Sequence, residues 1–91
     1  MSEKISNRGL EWISFSALML RHIEEYTVPQ YGDKPDDQLH EYEIKDCVRA
    51  INKYANRHGK GKRGQEEELR DLLKIAHYAC AAHTKYREGK P

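Results

Sequence analysis

A chain of 91 residues makes one domain, of a size that buries only about 60–65% of its unfolded surface. With 37% hydrophobic residues and a net charge of +1, it can build one thin core without a cavity of enzyme size. Its bulk charge draws it to neither nucleic acid nor a membrane surface, so a functional site would be a surface cleft or would need a second copy.

Residues 1–10 (MSEKISNRGL) lack periodicity and are expected to be disordered, leaving residues 11–88 as a single helical domain. A first helix fits Ser14 to Tyr26, with Phe15, Leu18, Met19, Ile23 and Tyr26 on one apolar stripe and His22 beside it. Ser14 is its expected N-cap, and Pro29 its expected stop, because the residue before a proline is pushed out of the α region. The following "VPQYGDKPDD" (28–37) holds two prolines, a glycine and three aspartates. It is a long loop.

A second helix is expected from His40 to Arg57, burying Ile44, Cys47, Val48, Ile51, Tyr54 and Ala55. Gly59 suits the left-handed conformation that closes a helix C-terminus. The third helix runs from Gln65 to Arg87. Its apolar residues, Leu73, Ile75, Tyr78, Cys80, Ala81 and Ala82 among them, cover more than one face and make it the expected central helix. Leu69, Leu72, Ala76, Ala79, His83 and Tyr86 form an expected buried stripe. The fold class is therefore all-α, a small three-helix bundle with a long loop between helices 1 and 2.

Charge is segregated along the chain. Residues 22–46 hold eight acids against Lys34 and Lys45, whereas residues 47–63 hold Arg49, Lys53, Arg57, Lys60, Lys62 and Arg63 and no acid. The two segments either attract each other across the fold or leave the basic one for an external anion, such as a nucleotide or another phosphate-bearing ligand. The "GKGKRG" stretch (59–64) spells G-x-G-x-x-G. A dinucleotide site needs a strand before that motif; here a helix precedes it and three glutamates follow, which would repel a phosphate.

Those glutamates open a second possibility. Glu68 and Asp71 are three apart, the kind of carboxylate pairing that holds Mg²⁺ in all-α phosphohydrolases. The competing explanation is that acids in the first turn of a helix complement its dipole. Cys47 and Cys80 sit within apolar helical patterns and belong to no CxxC pair, so buried free thiols in a cytoplasmic protein are expected. Uninterrupted apolar runs such as Ala17–Leu20 and Tyr78–Ala82 fall far short of the ~20 residues of a membrane span. No membrane partner is expected.

"AINKYANRHGKGK" followed by "EEELRDLLKIAHYA" resembles small helical proteins of bacterial phage or prophage type, some labelled nucleotide-kinase-like. The matching positions are Ala50, Ile51, Lys53, Tyr54 and Arg57, then Asp71, Leu72, Lys74, Ala76 and Tyr78. "EEELRDLL" is also similar to the second acidic motif of MazG-type nucleotide pyrophosphohydrolases, through Glu68 and Asp71. That resemblance implies an all-α, Mg²⁺-dependent enzyme with a further E-E-x-x-E motif on an earlier helix. Glu24–Glu25 begins one, but Val28 occupies the third acid's position, so the implied ligand set is incomplete.

The sequence thus supports a non-enzymatic module that binds a partner or a phosphate-bearing ligand through Arg49, Lys53, Arg57, Lys60, Lys62 and Arg63, with no cofactor. Two alternatives accompany it. One is a Mg²⁺-dependent nucleotide pyrophosphohydrolase using Glu68 and Asp71; the other is a structural homodimer formed through the tyrosine-rich and alanine-rich faces of the third helix.

Overall fold

The computed structural model describes residues 4–60 and 64–91, all helix, turn or loop with no strand among them. The chain divides into two compact units, Met1–Gly32 and Asp33–Pro91. No helix among the described residues is long and apolar enough to cross a membrane.

The first unit is a helical rod. Its main helix, α1 (Asn7–His22), is capped by Ser6, whose Oγ accepts from the Gly9 N–H at 3.0 Å. The helix therefore starts seven residues before Ser14. Gly9 makes this start possible, because a Cβ there would lie 2.6 Å from Ile5 Cγ2; the bare backbone lets Ile5 fold over the first turn.

Nor does Pro29 stop the helix. A π-helical turn, Ile23–Thr27, follows α1 and leads directly into α2 (Val28–Tyr31), with the Val28 N–H donating to the Ile23 carbonyl five residues back. In a regular α-helix the Pro29 ring would strike the carbonyl of Glu25. The wider π turn relieves that clash, and the helix continues to Gly32, whose φ of 96° ends it. Phe15, Met19, His22, Ile23 and Tyr26 are the more shielded positions, as the periodicity indicates. Leu18 is exposed, and His22 is the buried member.

The second unit contains α3 (Gln38–Glu41), α4 (Ile44–Asn56) and α5 (Gln65–Arg87). Asp37 caps α3 by accepting from the His40 N–H at 3.2 Å. The helix expected from His40 breaks at Tyr42 and Glu43, which are extended. Asp46 drives the restart, since its carboxylate accepts from the Glu43 N–H at 2.9 Å and caps α4 instead. After α4, Gly59 has φ +73°, the left-handed geometry that turns the chain toward α5.

Helices α4 and α5 lie antiparallel. Arg57 at the end of α4 meets Asp71 in the second turn of α5, and the Ile44 N–H at the start of α4 donates to the carbonyl of Pro91, beyond the end of α5. Cys47 is completely buried and Ala82 nearly so; both are small, which lets the helices approach closely. Ile44, Ile51 and Tyr54 on α4 are half-buried as expected, while Val48 and Ala55 are exposed.

On α5 the expected stripe is wrong. The buried residues are Asp71, Ala82 and Lys85, whereas Leu69, Leu72, Ala79, His83 and Tyr86 face solvent. Two charged side chains lie inward because each finds a partner. Asp71 meets Arg57, and Lys85 Nζ donates to the His40 carbonyl at 3.0 Å. A paired buried charge loses far less than an unpaired one.

A candidate anion-binding surface on α4 and α5

Lys45, Arg49 and Lys53 fall every fourth residue on the exposed face of α4, about 6 Å apart per step by the helical rise. Lys45 and Arg49 each sit 3.5–3.6 Å from a helix-start acid, Glu43 and Asp46. Such exposed pairs contribute little to stability and exchange readily for an external anion. Lys60 is exposed in the turn beyond α4. Lys62 and Arg63, the other two bases of the acid-free segment, lie outside the described residues.

Beside this row, three tyrosines line the seam between the helices. Tyr42 and Tyr78 have ring centroids 6.3 Å apart at 12°, and Tyr78 and Tyr54 are 6.0 Å apart at 21°. Three cations gather around Tyr54: the Arg57 guanidinium carbon at 4.6 Å, Lys74 Nζ at 5.2 Å and Lys53 Nζ at 5.6 Å from the ring centroid. These are cation–π distances. Lys53 and Lys74 bring positive charge to one end of the aromatic row, while that of Arg57 is balanced by Asp71.

Arg57 is the anchor of that cluster. Its Nε donates to Asp71 Oδ2 at 2.8 Å, and a terminal nitrogen donates to Oδ1 at 2.7 Å, a bidentate pair. Asp71 is 3% exposed, and its hydrogen bond raises the Arg57 pKa above the ordinary guanidinium range. Of the six bases expected to meet a ligand, Arg57 is thus tied to the scaffold, whereas Arg49, Lys53 and Lys60 are exposed.

Lys74 is the residue that sequence reasoning missed. It belongs to α5, 21 positions beyond Lys53, and only the pairing of the helices places it over Tyr54.

The Glu68–Asp71 pair looks different in place. Both Asp71 oxygens accept from Arg57, so a metal there would have to displace the guanidinium. Among the described residues, no three His, Cys, Asp or Glu side chains converge closely enough to hold a metal ion.

The cysteines and histidines are likewise dispersed. Cys47 is buried and Cys80 exposed, so only one of the two thiols is sheltered as expected. Burial raises the Cys47 pKa, with the nearby Lys85 charge opposing the rise. Burial also lowers the His77 pKa, against the field of Asp37. His83 is exposed, and its Nδ1 accepts from Arg87 Nε at 3.1 Å. The surface as a whole offers point charges and an aromatic face. These are elements of recognition. Compared with protein-family models, characterised proteins and solved structures, the chain gives no significant match.

Proposed function

We propose that this chain is a binding module for a phosphate-bearing ligand, a nucleotide or a polynucleotide segment, held on the α4–α5 face around Tyr54. The observation that carries this reading is the gathering of Lys53, Arg57 and Lys74 around one tyrosine ring, contiguous with Arg49 on α4. Lysine ammonium groups meet phosphate oxygens as flexible point charges. Arg57, its charge balanced by Asp71, holds the edge of the site in place rather than adding to its positive field. Lys60, exposed in the turn beyond α4, extends the same charge; Lys62 and Arg63 lie outside the described residues. Binding would be electrostatic in character and would weaken steeply with salt.

Amide-shift titration of the full chain at low salt, with ATP, single-stranded RNA and duplex DNA in parallel, tests the reading. Shifts should concentrate at residues 49–60 and at Lys74, and the double substitution Lys53→Glu with Lys74→Glu should abolish them while circular dichroism stays unchanged. If residues 49–60 and 74 do not move with any of the three, the ligand reading is wrong. Mn²⁺ broadening centred on Glu68 and Asp71 would instead favour the Mg²⁺-dependent pyrophosphohydrolase, in which Asp71 exchanges Arg57 for metal.

A further inference from the structure

Helix α5 carries a largely apolar row that α4 leaves exposed except at Ala76, which is half-buried. Leu69, Leu72, Ala76, Ala79, His83 and Tyr86 recur at alternating steps of three and four residues, the spacing of a coiled-coil seam. Contact with α4 uses another face of the helix, that of Asp71, Tyr78 and Lys85. Leu69, Leu72 and Tyr86 therefore remain 52%, 46% and 70% exposed, with Ala79 and His83 exposed between them. A single exposed leucine is ordinary; a continuous row along a 23-residue helix marks an interaction surface.

The row has the same pattern read from either end. Reversed about the midpoint between Ala76 and Ala79, it sets Leu69 opposite Tyr86, Leu72 opposite His83, and Ala76 opposite Ala79. Large side chains then meet at the ends, and at the centre two alanine pairs allow the backbones to come close. Charge obeys the same symmetry. At the edges of this row the first turn holds Glu66 and Glu68 and the last turn holds Arg87, Lys85 being turned to the α4 side. An antiparallel copy brings the exposed Glu66 and the Glu68 carboxylate alongside Arg87 of the other chain, with the two helix dipoles opposed. A parallel copy would set acid beside acid and base beside base, which costs affinity.

We propose that this face of α5 is a two-fold, antiparallel docking surface for a second copy of the same chain. The contact is isologous, so it closes at two chains and leaves no face to propagate a fibre. The row lies on a different face of α5 from the residues that meet α4, so the dimer can form whether or not the α4–α5 face binds phosphates.

Light scattering on the full chain across a concentration series, with chemical crosslinking, tests both the contact and its direction. The expected species has twice the 10.7 kDa chain mass, and Leu72→Glu should return it to the monomer with its helical circular dichroism intact, since Leu72 is already exposed in the single chain. Direction is read in a Cys80→Ser background from two single variants, Leu72→Cys and His83→Cys. A short bis-maleimide should join the two different variants when mixed, and should leave each variant alone uncrosslinked, because residues 72 of the two chains would lie about 16 Å apart along the axis. Crosslinking of either variant with itself would overturn the antiparallel pairing. A monomer at all concentrations, or a dimer indifferent to Leu72→Glu, would overturn the surface itself. Loss of nucleotide shifts at residues 49–60 bears on the ligand site only.

Discussion

Arg57 and Asp71 join the end of α4 to the beginning of α5 by two parallel hydrogen bonds of 2.8 and 2.7 Å. They are 14 positions apart in the chain, on either side of the glycine-containing turn, and their bond fixes the register in which the two helices meet. The Arg57 side chain is about one-third exposed while that of Asp71 is 4% exposed, so the carboxylate is the member that cannot be left alone.

Arg57→Ala should destabilise the protein by about 2–3 kcal/mol, because it takes the guanidinium partner from a buried carboxylate. Arg57→Lys should be nearly as harmful, because a lysine cannot reproduce the planar fork. The double substitution Arg57→Met with Asp71→Leu should recover most of the loss, since it removes both charges together. Urea denaturation of the three variants decides the matter; an Arg57→Ala midpoint equal to wild type would show that the pair contributes nothing. The same argument makes Arg57 a poor choice for probing ligand binding, because its loss disturbs the scaffold. Lys53 and Lys74 are the informative positions.

Lys85 secures the other end of the helix pair. Its Nζ donates to the His40 carbonyl at 3.0 Å, and the side chain is almost fully buried. Lys85→Met keeps the apolar stem and removes the donor, leaving that carbonyl without its partner. The expected loss is about 1–2 kcal/mol, with Lys85→Ala larger because the stem's packing goes too. Hydrogen exchange should show the effect locally. Amides of residues 38–44 should exchange faster in Lys85→Met, and unchanged rates there would remove Lys85 from this role.

How far the sequence revealed this arrangement depends on which residues are considered. The all-α class and the inward positions Ile44, Cys47, Ile51 and Tyr54 follow from apolar periodicity, whereas the loop expected over 28–37 is helical through Tyr31. The buried face of α5 does not. Periodicity weights apolar residues and selects Leu69, Leu72, Ala79 and His83, yet α4 lies against Asp71 and Lys85. Nothing local in the sequence announces that Asp71 will find Arg57, or that Lys85 will find a helix-end carbonyl. Pro29 misleads for a similar reason: its effect on a regular helix is predictable, but a π turn that accommodates it has no distinct sequence signal. The basic row on α4 was legible; Lys74, brought to it by tertiary pairing, was not.

Thiol chemistry should separate the two cysteines sharply. Cys80 is exposed, while Cys47 is wholly buried and has its pKa raised by burial, which lowers the thiolate available for reaction. In dilute protein an aromatic disulfide reagent should label Cys80 at the rate of a free thiol. Cys47 should react only through unfolded molecules, slower by a factor on the order of 10³ or more. Adding urea should merge the two phases. Equal rates in native conditions would contradict the burial of Cys47 between α4 and α5.

His77 supplies the pH dependence. Burial on α5 lowers its pKa below the ordinary value of 6.5, with Asp37 opposing the shift and Lys34 reinforcing it. The folded state therefore binds a proton less readily than the unfolded chain, and between the folded and unfolded pKa values the unfolded chain carries more protons. Stability must rise with pH across that window. Its contribution is present in full above the unfolded pKa, declines as pH falls below about 6.5, and levels off once pH passes the lower folded value. Urea midpoints measured at intervals from pH 7.5 down to 5 should show this decline, and His77→Gln should flatten it. Asp37→Asn should steepen it, because the one opposing charge is removed and the folded pKa falls further. A decline unchanged in His77→Gln would assign the pH dependence to other groups.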